Sequence, residues 1–292
     1  MKTLPENPDT IQRQQSDLAA PVSNRRASSL ARWGVLSRRT LQATLPALVL
    51  LAALVLFWEW YANQPTVDTQ ILPTPLAVWG VLVGQRDILW QHTLVTLQET
   101  LIGFAVALAA GVFCGAVIDF SPWLRRAIYP LLVASQTIPI IILAPLLVLW
   151  FGFGLLSKSI VVVLVCFFPI VVALADGLRA ADPELIQLFR AFGARRWRIF
   201  WSVRLPGALP ALFSGVRIAI AYSVIGAIFG EYVGSTAGLG FYMQLKQHSF
   251  ATAGVLAAIV VTALLSVTLF AAVAVVERVA LPWRYLQRGR ET

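Results

Sequence analysis

The residue types that usually carry chemistry are sparse in this chain of 292 residues and scattered along it. No His, Cys, Asp and Glu stand together at metal-ligand spacing, no pair of carboxylates is placed for acid–base work, and no Ser/His/Asp or Cys/His set emerges. Cys114 and Cys166 both lie inside apolar runs, where cysteine behaves as a small hydrophobe. His92 and His248 fall in connections, where a lone histidine is ordinarily solvated. The nearest approach to a phosphate loop is Gly152-Phe153-Gly154-Leu155-Leu156-Ser157-Lys158-Ser159. It fails the G-x-x-x-x-G-K-[ST] pattern because Ser157 stands where the second glycine must sit. Nothing here points to a reaction. If the chain moves a solute uphill, the energy must come from a gradient or from another chain.

What remains is polarity in apolar surroundings. Arg217 lies deep in an apolar run, where a charge needs a partner or water. Glu99 and Glu231 stand near the ends of two others, and no Asp, Glu or His is clearly central, which argues against a proton relay. Ser135, Gln136 and Thr137 form a polar triplet in a run broken by Pro130, Pro139 and Pro145. Backbone freed by proline within a membrane must be satisfied by neighbours or line a wet cavity. The triplet is therefore either part of a translocation path or a set of interhelical hydrogen bonds. Tyr222 joins the path candidates by polarity alone.

The segment from Asp176 to Pro206 is polar and amphipathic. Asp182 suits a helix N-cap, Pro183 its first position and Glu184 its first turn. Leu185, Leu188, Phe189 and Phe192 follow at helical spacing and predict one apolar face, with Gly193 as the C-terminal cap. A second helical run from Ala194 ends before Pro206. Such a helix pair either lies on an anionic leaflet or fits a groove on a soluble partner.

These features need a frame, and composition supplies it. The chain is 58% hydrophobic and 13% charged, with mean hydropathy +0.76. That excludes an ordinary soluble enzyme, a disordered chain and a disulfide scaffold, and makes it an all-α membrane protein. Six stretches are long enough to cross the bilayer: about 45–61, 94–118, 128–150, 159–175, 208–230 and 252–276. Of 23 Lys and Arg, nineteen fall on one side of these spans; Arg86, Lys158 and Lys246 fall on the other, and Arg217 within. Basic loops face the cytosol, so both termini are expected there. The formal net charge of +9 follows from this asymmetry and requires no nucleic acid. Residues 1–44 read as a disordered basic cytosolic tail rather than a cleaved leader, residues 45–285 as the membrane domain with a core at about 94–276, and 286–292 as a second tail. Small residues at Gly103, Ala107, Gly111 and Gly115, and again at Gly226, Gly230 and Gly234, allow close helix packing, within the chain or between subunits.

Gly193, nine residues and then Val203-Arg204-Leu205-Pro206 resemble the cytosolic loop signature of binding-protein-dependent ABC transporter permeases. Gln187, Leu188 and Phe189 stand where that signature has Glu-Ala-Ala, a departure. Leu72-Pro73-Thr74-Pro75, Leu149-Trp150-Phe151-Gly152-Phe153-Gly154, Phe167-Phe168-Pro169-Ile170 and Gly238-Leu239-Gly240-Phe241 resemble the nitrate/sulfonate/taurine branch, and Gln136 to Gly154 permeases for the pyrimidine precursor of thiamine. The resemblance implies a bacterial inner-membrane permease, a homodimer carrying separate ATPase subunits and an external solute-binding protein. ATP and magnesium would sit on the ATPase, with no cofactor on this chain. It also implies a coupling role for Leu188, Phe189, Ala191, Gly193, Ala194, Arg195, Val203, Leu205 and Pro206, and a small organic solute as cargo. A gradient-driven carrier or channel is the alternative.

Overall fold

The computed structural model describes residues 27–283, and every regular element among them is a helix. The first unit, residues 1–61, contributes α1 (Ala27–Ala62). Its stretch Leu45–Ala62 is apolar enough to cross a membrane and coincides with the first expected span. The helix nevertheless begins at Ala27, inside the stretch expected to be disordered, where Ala, Leu, Arg and Gln favour helix. Residues 1–26 and 286–292, the rest of the two expected tails, lie outside the described residues.

The second unit, residues 62–292, runs through α2 (Pro75–Gly84), α3 (Arg86–Phe120), α4 (Pro122–Ser135), α5 (Ile140–Phe151) and α6 (Leu155–Arg179). It continues with α7 (Pro183–Ala191), α8 (Arg196–Ile199), one wide π-helical turn (Phe200–Arg204), α9 (Leu205–Gly234), α10 (Leu239–His248) and α11 (Thr252–Ala280). Helices α3, α6, α9 and α11 are long and apolar enough to span. At 35 residues α3 is about 50 Å long, well over the roughly 30 Å of hydrocarbon.

Helix α6 is the centre of this unit, packed between α3 and α9. Ala107, Val162, Cys166, Ile170, Leu174, Ala208, Val216 and Ala219 are buried together where the three meet. The small-residue stripe explains the approach. A Cβ added at Gly103 would lie 2.5 Å from Val162 Cβ, at Gly111 2.8 Å from Ile170 Cγ2, and at Gly115 3.0 Å from Leu174 Cδ2. On the opposite face, Gly226 abuts Val162 and Gly230 abuts Lys158. Both glycine stripes therefore serve packing within the chain.

The third expected span departs from a single helix. Helices α4 and α5 meet at a 98° bend, forming either one broken span or a re-entrant pair. Pro139 is the cause: it has no N–H to continue α4, and it takes an extended ψ of 121° as the N-cap of α5. Two short helices were not expected. Thr74 starts α2 by accepting the Ala77 N–H at 3.2 Å, with Pro75 in its first turn, and Gly238, at φ +110°, turns the chain into α10.

Candidate functional site

The loop between α6 and α9 follows the sequence reading closely. The Asp182 carboxylate accepts the Glu184 N–H at 2.8 Å, with Pro183 in the first turn of α7. At the other end Gly193 has φ +75°, its N–H donates to Arg190 O at 2.9 Å, and the Ala194 N–H donates to Phe189 O at 2.9 Å. This pair of bonds is a Schellman cap, and Ala194 and Phe189 make its accompanying apolar contact in one cluster. A Cβ at Gly193 would meet nothing within 4 Å, so backbone conformation alone selects glycine here.

The apolar face of α7 divides in two. Ile186 is buried with Ala181 and Ile199, and Phe189, Ala194 and Val203 pack against them, fixing the loop to the ends of the spans. Leu185, Leu188 and Phe192 point outward, Phe192 with 82% of its surface exposed. The sequence placed Phe189 on the same face as these three. The structure moves it inward, because the loop needs its own small core as well as an outer surface.

Leu188, Phe189, Gly193, Ala194 and Arg195 come together with Trp197 around an open cleft of about 720 Å³. Ala191 is exposed in the last turn of α7. Val203, Leu205 and Pro206 do not line the cleft: Val203 packs on the loop's own core, Leu205 on the main core, and Pro206 opens α9. An Arg204–Asp119 ion pair at 2.6 Å and an Arg125–Asp176 pair at 3.5 Å bind the loop region to neighbouring span ends. The result is a rigidly mounted helix with an apolar outer edge.

The path candidates are less concentrated. Ser135, Gln136 and Thr137 are exposed at the α4–α5 break. The Ser135 hydroxyl donates to Leu132 O and that of Thr137 to Ala134 O, both at 2.7 Å, so these two side chains bond back to carbonyls at the broken helix end. Tyr222 is half-exposed on α9, and no hydrogen bond links it to the triplet among the described residues.

A second polar centre escaped sequence reasoning. Lys158, expected in an exposed connection, is buried in the first turn of α6, with its Nζ 2.7 Å from both Glu99 Oε1 and Ser235 Oγ. Nearby, Glu231 accepts the Thr96 hydroxyl and the Gly240 N–H, each at 2.6 Å, while the Leu239 N–H donates to Thr96 at 2.9 Å. His92, expected to be solvated, accepts the Gly238 N–H at 3.0 Å through Nδ1. The cluster pins the α9–α10 connection to α3 and α6. Arg217 has its partner as well: Glu277 on α11, at 3.1 Å. Each charge was visible in the sequence, but partners separated by 59 to 135 positions were not.

Comparison with known proteins agrees with this architecture. Residues 107–280 match the family model described as "Binding-protein-dependent transport system inner membrane component". The formylaminopyrimidine transport permease ThiX of Halalkalibacterium halodurans is 38% identical over 251 residues, 86% of this chain and all of the relative. The riboflavin transport system permease RibX of Chloroflexus aurantiacus is 38% identical over 239 residues, 80% of this chain and 88% of the relative. The taurine permease TauC of Escherichia coli is 31% identical over 240 residues, 80% and 87% of the two chains. An inward-facing structure of the MetNI methionine ABC transporter shares the fold, with TM-score 0.60 at 21% identity, covering 67% of this chain and 97% of that one.

Proposed function

From the premise that this chain belongs to the family of binding-protein-dependent transport inner-membrane components, we propose that it is the permease of an ATP-driven importer, coupled through the α7 loop to a separate ATPase. The observation that supports the coupling role is the exposed edge of α7. Leu188 and Phe192 face solvent beside an open cleft, although the remainder of the same helix is anchored on Ile186 and Phe189. An amphipathic helix held in this way is a ready ligand for a groove on a soluble subunit. ATP binding and hydrolysis then belong to that subunit, and the spans rock around a central path in response. The excess of basic residues on the loop's side supports a cytosolic loop and cytosolic termini. A solute-binding protein would deliver cargo from the other side, to a path built by two copies of the chain.

For the cargo we favour a neutral or weakly charged heterocycle. Lys158 and Arg217 are each paired with a carboxylate, which leaves neither free to take the charge of a sulfonate or nitrate. The relatives named for formylaminopyrimidine and riboflavin, both 38% identical, agree with that choice better than the taurine permease at 31%.

The test is co-purification of the permease with its ATPase in lipid, using wild type and a Leu188→Glu/Phe192→Glu variant. Stable wild-type association, lost in a variant that still inserts and stays monodisperse, supports the docking role. Uptake that persists with no ATPase present would replace it with a gradient-driven carrier.

A further inference from the structure

Between the end of α3 and the same loop lies a smaller polar cavity of about 210 Å³. Asp119 and Phe120 at the end of α3, Arg190 on α7, Arg196 on α8, and Phe200 and Arg204 of the π-helical turn line it. Three arginines thus face one carboxylate. Arg204 satisfies Asp119 at 2.6 Å, and among the described residues no carboxylate pairs with Arg190 or Arg196. The cavity therefore holds two uncompensated positive charges.

Two of its lining residues, Phe120 and Phe200, belong to an aromatic rim. Phe120, Trp197, Phe200 and Trp201 form a connected cluster with ring centroids 5.0 to 6.2 Å apart. Trp197 and Trp201 are more than half exposed. The apolar span α3 ends at Phe120 and α9 begins at Leu205, which sets this rim at the end of the apolar spans. Tryptophan concentrates at that level, and basic pockets between helices there attract anionic headgroups.

We propose that this cavity holds the phosphate of an anionic phospholipid, with Arg190 and Arg196 on the phosphate and the acyl chains over the aromatic rim. A free inorganic phosphate would satisfy the arginines but leave the exposed indoles in water. Trp197 stacks on Phe120 and Phe200 at this rim and also lines the coupling cleft, so an occupied cavity fixes a ring on which partner docking depends. The site requires a bilayer around the helices and does not rest on the importer role.

The experiment is native mass spectrometry of the full chain in mild detergent, counting retained phosphatidylglycerol. Arg190→Gln/Arg196→Gln is expected to bind it about 30-fold more weakly, at the value of two arginine–headgroup attractions. Arg195→Gln/Arg198→Gln removes the same charge from the neighbouring cleft and is expected to leave retention unchanged. Wild type is expected to prefer phosphatidylglycerol to phosphatidylcholine about tenfold or more, a comparison that needs no variant to fold. Equal retention of the two lipids, or equal loss in both variants, would overturn the proposal. Displacement of the lipid by millimolar inorganic phosphate or ATP would overturn it in favour of a soluble anion. Unchanged lipid retention with lost ATPase association in Arg190→Gln/Arg196→Gln would reassign the cavity to partner docking.

Discussion

Replacing Lys158 with methionine is expected to be among the most destabilising single changes in the membrane domain. The ammonium lies 2.7 Å from Glu99, whose side chain is 3% exposed. Methionine keeps most of the stem volume but leaves Glu99 a buried charge without its counter-ion. Breaking a buried pair from one side costs about 3–5 kcal/mol. For a unit of this size, each kcal/mol shifts the melting midpoint by roughly 2–4 °C, so Lys158→Met is expected to melt on the order of 10 °C lower. Glu99→Gln/Lys158→Met removes both charges and leaves Glu231 its Thr96 and Gly240 donors. It is expected to recover at least half of that loss, a coupling of about 2 kcal/mol or more. The assay is thermal unfolding of the detergent-purified permease, read by loss of monodisperse protein. A single variant within about 2 °C of wild type, or a double variant showing the plain sum of the two single losses, would refute the pair as the device holding the α9–α10 connection.

Gly111→Val drives a branched side chain toward Ile170, 2.8 Å from where its Cβ would sit, and is expected to cost about 1–3 kcal/mol in the same melting assay. Gly193→Ala should destabilise the loop by about 1–2 kcal/mol through the positive φ alone, and Gly193→Asn by less, with both read as faster amide exchange in α7. Asp182→Ala removes the cap on the Glu184 N–H and should raise exchange in the first turn of α7 about fivefold, the effect of roughly 1 kcal/mol. If the α4–α5 break lines the path, Gln136→Leu should lower solute uptake about tenfold with unchanged amounts of protein in the membrane, and normal uptake would remove the break from the path.

Local chemistry made much of this architecture legible. Asp182, Pro183 and Gly193 announce the two ends of α7 because capping depends on residues only a few positions apart. The glycine stripe on α3 likewise announces a close approach, although not that Val162, Ile170 and Leu174 of α6 would meet it. Pro139 was visible as an interruption, yet the 98° bend was not, since proline marks where a helix ends and tertiary packing decides where the chain goes next. The division of the α7 face followed the same rule: helical spacing puts Phe189 beside Leu185, and only the loop's own core with Ala181 and Ile199 turns it inward. Glu99 and Glu231 read as residues near span ends, and Lys158 as one in a connection. Their union depends on three helices brought together by the fold, which a single chain's spacing does not encode.

The most direct measurement is ATP hydrolysis by the permease–ATPase assembly in lipid, with wild type and Gly193→Trp. Nothing lies within 4 Å of a Cβ at Gly193, so the cost of the variant inside the permease is the positive φ that Gly193→Ala shares, and Gly193→Ala is the matched control for the indole at the docking edge. A coupling loop predicts that wild type sets the hydrolysis rate of the assembly, while the folded, inserted variant returns it to that of the ATPase alone and abolishes uptake. Full ATP-driven uptake by Gly193→Trp would contradict the account.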